Sequence, residues 1–215
     1  MPPTFAPLLE RWLPEYGFHP APAARARLAR YLELIVEGQA RLRLVGEITP
    51  ETLVRRHLGE SLYLGQIVPL AAQSLVDVGS GAGFPGLALA LGWPELKTTL
   101  VESNSKKAAF LRHALTELDL APRVAVWESF VGRTPPPGPT PLAQAEWVSV
   151  RALEHMERLP GWLGRWLPPG ARAALWVGAA MVARWRARWP GVASAGLHPL
   201  PASRERGILV AERFT

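Results

Sequence analysis

The 215-residue chain contains no cysteine, which removes disulfides, cysteine-ligated zinc and any thiol nucleophile. Lysine is scarce as well, three against 21 arginines, and aspartate occurs only at Asp77 and Asp119. Nor is there a long hydrophobic run. The longest, "AALWVGAAMVA", is too short and too interrupted by glycine to cross a bilayer. The opening "MPPTFAPLLERW" carries charges where a secretion signal needs a continuous apolar region. These absences lead to the expectation of a soluble, cytoplasmic protein with no membrane or metal partner.

What is present argues for a folded core. The apolar fraction is 48% and nine tryptophans are included, which is not the composition of a disordered chain. The formal charge is +6. A surface whose cations are nearly all arginine suits a polyanion, because the guanidinium fork pairs with phosphate and stacks on bases. The same richness in Arg, Ala, Pro and Gly also follows from genomic base composition, so charge alone leaves nucleic-acid binding open.

Residues 1–72 read as a helical N-terminal extension and 73–215 as an α/β domain. In "ARARLARYLELIVEGQARLRLV", Leu28, Tyr31, Leu32, Ile35 and Leu42 recur near a helical spacing with the arginines largely elsewhere. A second helix is expected from Thr49 as N-cap and Pro50 at the first helical position. From residue 74 strands and helices alternate: "SLVDVG", a helix after Pro85, "KTTLVE", a helix over "KKAAFLRHALTEL", "RVAVWE", the loop "RTPPPGPTP" and "EWVSV". There follow a helix over "EHMERLPGWLGRW" broken by Pro160 and Gly161, the strand "ARAALWV", a helix over "AAMVARWRARW", and the strands "ASAGLHPL" and "GILVAERF". Repeated βα units give an open, mostly parallel sheet, and the last two strands, joined by "PASRERG", are expected to form an antiparallel hairpin. In "ARWRARW", Trp185 and Trp189 lie four apart on one helix face and read as sheet-packing residues rather than a base-stacking platform.

Ligands of such sheets bind at the carboxyl ends of the strands, which draws the eye to "SLVDVGSGAGFPGLALAL" after the first strand. Gly81, Gly83 and Gly86 satisfy the G-x-G-x-x-G pattern of dinucleotide sites. Asp77, two residues before Gly79, favours instead a ligand with an ammonium and a sulfonium, since its charge repels a pyrophosphate. Pro85 removes one amide that a phosphate would use. Glu102, ending the second strand in "TLVES", suits the ribose hydroxyls of either nucleotide class. A phosphate-free adenosine cofactor fits better than NAD, with NAD still open.

The runs "DVGSGAGFPGLALAL", "LVESNSKKAAFLRHALTELDL", "VSVRALEHM" and "RERGILVAE" resemble the small-subunit (16S) ribosomal RNA guanine-N7 methyltransferase family, also called glucose-inhibited division protein B. In the extension, "VRRHLGESL" is similar to that family's "vrHxxDSL" signature, with His57 and Ser61 matching and Glu60 in place of Asp. The resemblance implies a class I, Rossmann-like S-adenosylmethionine methyltransferase fold with a seven-stranded sheet behind a helical extension. It also implies action on N7 of a guanine in 16S rRNA or the small ribosomal subunit. It places Gly79 and Phe84 in the cofactor turn, Glu102 at the ribose, and Arg151 beside cofactor and substrate. Lys106 matches a basic residue opening the helix after the second strand.

Candidate cofactor contacts are therefore Asp77, Gly79, Ser80, Gly81, Gly83, Phe84, Glu102, Phe130, Val131 and Arg151, with Phe130 and Val131 flanking the adenine. Candidate RNA contacts are Arg43, Arg55, Arg56, Lys106 and Lys107, with Arg41 and Arg112 beside them. The chain departs from the family at Arg43 to Val45, at Ser129 to Val131 and at Val177, which puts the substrate, and activity itself, in question. The chemistry is compatible with N7: that nitrogen has a lone pair and no proton, so its attack needs no general base, whereas cytosine C5 needs a cysteine nucleophile. The Asn/Asp-Pro-Pro-aromatic motif of exocyclic amine methyltransferases is absent after the fourth strand. Arg151 is a positioner and not a base, because its pKa is too high. The alternatives are an RNA- or ribosome-binding protein that keeps the cofactor fold, and a methyltransferase for another RNA or a small molecule.

Overall fold

The computed structural model describes residues 4–46, 48–71, 73–132, 140–152, 158–186 and 192–213. Seven strands form one sheet: β1 (Ser74–Val78), β2 (Lys97–Glu102), β3 (Val124–Glu128), β4 (Trp147–Arg151), β5 (Arg172–Gly178), β6 (Val192–Pro199) and β7 (Arg206–Arg213), in the order β3-β2-β1-β4-β5-β7-β6. β1 to β5 run parallel, and β7 is antiparallel to both β5 and β6, as the short "PASRERG" link requires. The chain order reverses between β1 and β4, the place where an open sheet leaves a crevice at its carboxyl edge. Asp77 pairs in register with Leu100 on one side and Ser149 on the other.

The apolar run after the glycine turn forms α6 (Gly86–Gly92), buried along nearly its whole length. α7 (Ser105–Glu117) starts where the Asn104 side chain accepts the amides of Lys106 and Lys107, satisfying two of the first-turn donors. α8 (Leu159–Trp166) differs from expectation: Pro160 lies in its first turn and begins the helix instead of breaking it, because an amide is not needed there. The earlier part of that expected helix, 154–157, lies outside the described residues. α9 (Ala179–Arg186) follows β5, and its Trp185 is buried against the sheet; Trp189 lies outside the described residues.

The extension consists of α1 (Ala6–Trp12), a tight turn over Leu13–Tyr16, α2 (Pro22–Leu42) and a compound helical segment. That segment begins with α3 (Pro50–Thr52), widens into a π-helical stretch over Leu53–Gly59, closes with α4 (Glu60–Leu62), and is followed by α5 (Leu64–Ile67). Thr49 caps it by accepting the Thr52 amide, with Pro50 first in the helix. Leu28, Tyr31, Leu32 and Ile35 of α2 are buried, while Leu42 is half-buried. They share one apolar cluster with Leu87 and Leu91 of α6 and Phe110 and Leu111 of α7. At about 1.5–3 kcal/mol per fully buried side chain of this size, that seam ties the extension to the sheet's helical face.

Candidate active site

The turn after β1 is drawn tight by its neighbours. The amides of Gly79 and Ser80 both donate to the Val101 carbonyl, at 2.9 and 3.0 Å, and the Gly83 amide donates to the Ser80 carbonyl at 2.7 Å. Gly83 has φ 102°, and a Cβ there would lie 2.8 Å from both Leu87 Cβ and the Tyr31 hydroxyl oxygen. Its vacancy lets Tyr31 of the extension reach the turn and donate to the Ala82 carbonyl at 2.9 Å. Gly83 thus serves packing and does not line the cavity described below.

Asp77 is buried, and its two oxygens are engaged within the protein. Oδ1 accepts the Ser149 hydroxyl at 2.7 Å and Oδ2 accepts the Gly86 amide at 3.2 Å. Burial pushes its pKa up to about 6 against the hydrogen bonds from Ser149, Ser80 and Gly86, and Glu102 adds to the rise. The sequence reading set this carboxylate against the cofactor; in the fold it is absent from the cavity wall and occupies the start of α6 instead. Leu87 and Ala88 donate back to the Gly83 carbonyl and Leu89 to that of Pro85. A pyrophosphate at α6 thus meets amides already hydrogen-bonded and a carboxylate in its place, against what a phosphate site needs.

A cavity of about 770 Å³ opens at the carboxyl ends of β1, β2, β4 and β5. Gly79, Ser80, Gly81, Ala82 and Phe84 form one side, Glu102 and Lys107 the next, and Phe130, Val131, Arg151, Trp176 and Val177 the far wall. Leu44, Val45, Gly46, Arg56, His57 and Glu60 of the extension close over it. Glu102 accepts the Gly81 amide on Oε2 and the Asn104 amide on Oε1, both at 2.8 Å. A carboxylate offers about four lone-pair positions, so two remain for a ligand's hydroxyls. Beside it Phe130 is 74% exposed and Val131 buried, an apolar edge suited to a flat ring.

Arg151 and Glu60 anchor the roof. NH1 of Arg151 donates to the His57 carbonyl at 3.0 Å and to Ser61 Oγ at 3.2 Å, and NH2 to the Arg56 carbonyl at 2.6 Å and to Glu60 Oε2 at 3.0 Å. Four of its five N–H groups therefore hold the π-helical stretch, through Arg56 and His57, and α4, through Glu60 and Ser61, in place. Burial pulls the Arg151 pKa down to about 10 against the attraction of Glu60, so it stays a cation at neutral pH. Arg206, at the start of β7, grips Glu60 from the other side with NH1–Oε2 at 2.9 Å and NH2–Oε1 at 2.7 Å. The Trp176 indole donates to the Glu60 carbonyl at 2.9 Å. Ala152, next to Arg151 and part of the wall, is held at φ 52°, a left-handed conformation uncommon outside glycine.

The cations read as RNA contacts divide. Arg56 and Lys107 line the cavity, whereas Arg41, Arg43 and Lys106 are exposed outside its wall. Arg55 lies over the Trp12 ring at 4.1 Å and pairs with Glu51 at 3.2 Å and Glu15 at 3.6 Å. Arg112 pairs with Glu128 at 2.8 Å. The departures at Val45, Val131 and Val177 all lie on the wall, while the Ser129 amide extends the β2–β3 pairing by donating to the Glu102 carbonyl at 3.2 Å. Sequence reasoning missed Arg206, Trp176 and Leu200 as wall residues and assigned Glu60 no part; "RERG" was the one available signal. Among the described residues no three His, Asp or Glu gather as metal ligands, and no helix is long and apolar enough to cross a membrane.

A family model described as rRNA small subunit methyltransferase G matches residues 24–188. Ribosomal RNA small subunit methyltransferase G of Paramagnetospirillum magneticum is 42% identical over 137 residues, 63% of this chain and 62% of that protein. The protein of the same name from Solibacter usitatus is 34% identical over 181 residues, 81% of this chain and 80% of that one. The chain thus spans a little under two thirds of the first relative's length. Among solved structures, an RNA methyltransferase from Salinibacter ruber in complex with S-adenosyl-L-homocysteine superposes with a TM-score of 0.54 at 16% identity, covering 72% of this chain and 90% of that one. That likeness establishes the Rossmann-like methyltransferase fold.

Proposed function

The chain belongs to the rRNA small subunit methyltransferase G family, and from that premise we propose that it transfers a methyl group from S-adenosylmethionine to N7 of a guanine in 16S rRNA. The observation that carries the reading is the pairing of Glu102 with Asp77. Glu102 faces the cavity with two lone-pair positions left for a ribose diol, while Asp77 has taken the helix start that a pyrophosphate needs. This donor and acceptor set fits an adenosine without phosphates.

When bound, S-adenosylmethionine supplies an electrophilic methyl group on a sulfonium. Glu102 would orient its ribose, and Phe130 and Val131, on the cavity wall, would flank its adenine. Phe84, Val45, Trp176 and Val177 supply apolar wall that keeps water from the reacting atoms. Arg56 and Lys107 give the rim the positive charge that draws in a polynucleotide. Glu60 is tied by Arg151 and Arg206, and attack by N7 requires no proton to be removed, so the residues act by positioning. The 16S rRNA, free or in the small subunit, is the partner, and the cytoplasm the place of action.

Two measurements test this. Calorimetry is expected to detect S-adenosylhomocysteine binding and none of NADH. Mapping of N7-methylguanosine in 16S rRNA from cells with and without the gene is expected to lose one modified guanine. An unchanged map with salt-sensitive RNA binding retained would leave a binding protein on the cofactor fold; an unchanged map with another acceptor methylated would change the substrate.

A further inference from the structure

A second cavity, of about 250 Å³, borders on the Glu60–Arg206 pair and has no part in the methyl-transfer reading. It shares Arg56, Glu60 and Arg206 with the main cavity, and the extension supplies Tyr16, Thr52 and Arg55. Tyr16 is 1% exposed, and its hydroxyl has no hydrogen-bond partner. Burial, reinforced by Glu60, pushes its pKa up to about 12, so it remains a donor at neutral pH. Arg55 Nε is likewise buried without a partner. Thr49 donates its hydroxyl to Thr52 Oγ1 at 2.7 Å, which leaves the Thr52 hydroxyl hydrogen to be donated elsewhere. Buried donors such as those of Tyr16 and Arg55 are ordinarily satisfied, and donors gathered around one space, with the half-buried Thr52 hydroxyl beside them, call for an acceptor that enters it.

The charge around the space agrees. Arg55, Arg56 and Arg206 of its lining stand against Glu51 and Glu60, one positive charge in excess, and Arg56 forms no ion pair among the described residues. We propose that this cavity receives a backbone phosphate of the substrate RNA, next to the base presented in the main cavity, on the donors of Tyr16, Thr52, Arg55 and Arg206. The proposal rests on reading the main cavity as a site of RNA methylation. The shared wall explains why a nucleotide chain, and not a free anion, is the occupant: a base on one side of Arg206 leaves its neighbouring phosphate to reach the other.

The test uses the full chain saturated with S-adenosylhomocysteine and follows backbone amide resonances on addition of inorganic phosphate, then of a short guanosine-containing RNA. Phosphate is expected to shift the amides around Tyr16, Thr52 and Arg206, and the RNA to displace it. Tyr16→Phe, which removes one oxygen, is expected to weaken both roughly 10- to 100-fold, as for one hydrogen bond to a charged group, with adenosylhomocysteine affinity unchanged. Thr52→Val is expected to act in the same direction, and thermal unfolding verifies that each variant is folded. Wild-type affinity in both variants, or phosphate binding that RNA does not displace, overturns the proposal while leaving the methyltransferase reading in place. Failure of the wild type to bind adenosylhomocysteine overturns both.

Discussion

At the scale of single residues, two acids that the sequence points toward one cofactor are parted by the fold: Glu102 lines the cavity, while Asp77 holds the start of α6. Asp77 is a buried carboxylate whose pKa stands at about 6 against an ordinary 3.8. A pKa raised by folding means that the protonated form is favoured in the native state. Its contribution is therefore complete below about pH 4 and is lost as pH rises through about 6. At 1.36 kcal/mol per unit the change is about 3 kcal/mol. Denaturant unfolding between pH 4 and 7 is expected to show this decline in the wild type and to lose it in Asp77→Asn. Glu102→Ala removes a charged acceptor from the cavity and frees the Gly81 amide. Loss of hydrogen bonds to a charged group, about 1.5–3 kcal/mol, corresponds to roughly 10- to 100-fold weaker adenosylhomocysteine binding by calorimetry, with the melting profile of the apo protein little changed.

At the scale of elements, the glycine turn works by close approach. A Cβ at Gly86 would lie 2.6 Å from Asp77 Cβ and 2.7 Å from Leu100 Cδ2, so α6 can sit against β1 and β2 only without a side chain there. Gly86→Ala is expected to lower stability by about 1–3 kcal/mol and to weaken cofactor binding with it, whereas Gly161→Ala, which meets nothing within 4 Å, is expected to do neither. Denaturation and calorimetry on the two variants make the comparison. Most of these elements were legible in the sequence, because alternation of apolar residues, the Thr49 cap and the glycine cluster are local signals. The π-helical stretch over Leu53–Gly59 was not: its apolar spacing is compatible with an ordinary helix, and the side chain that binds its Arg56 and His57 carbonyls, Arg151, comes from far along the chain.

At the scale of the whole molecule, the same limit accounts for what sequence reading missed at the site. Arg55 and Arg112 show their charge in the sequence but not Trp12, Glu51 or Glu128, which engage them. Glu60 meets Arg151 and Arg206 across separations of 91 and 146 residues, and no local pattern announces a pairing that exists only once β4 and β7 are in their places. The division of the chain at residue 72 followed a change of rhythm, yet the extension roofs the cavity and shares its core with α6 and α7.

The long reach of Glu60 also bears on the time course of folding. Contacts between such distant segments require large loops to close first, so the Glu60 cluster is expected to form after the rate-limiting step, and weakening it to act mainly on the rate of escape from the native state. In stopped-flow measurements Glu60→Gln is expected to unfold faster than the wild type and to refold at nearly the same rate. Slower refolding would instead place this three-way ionic contact among the first long-range contacts that the chain makes.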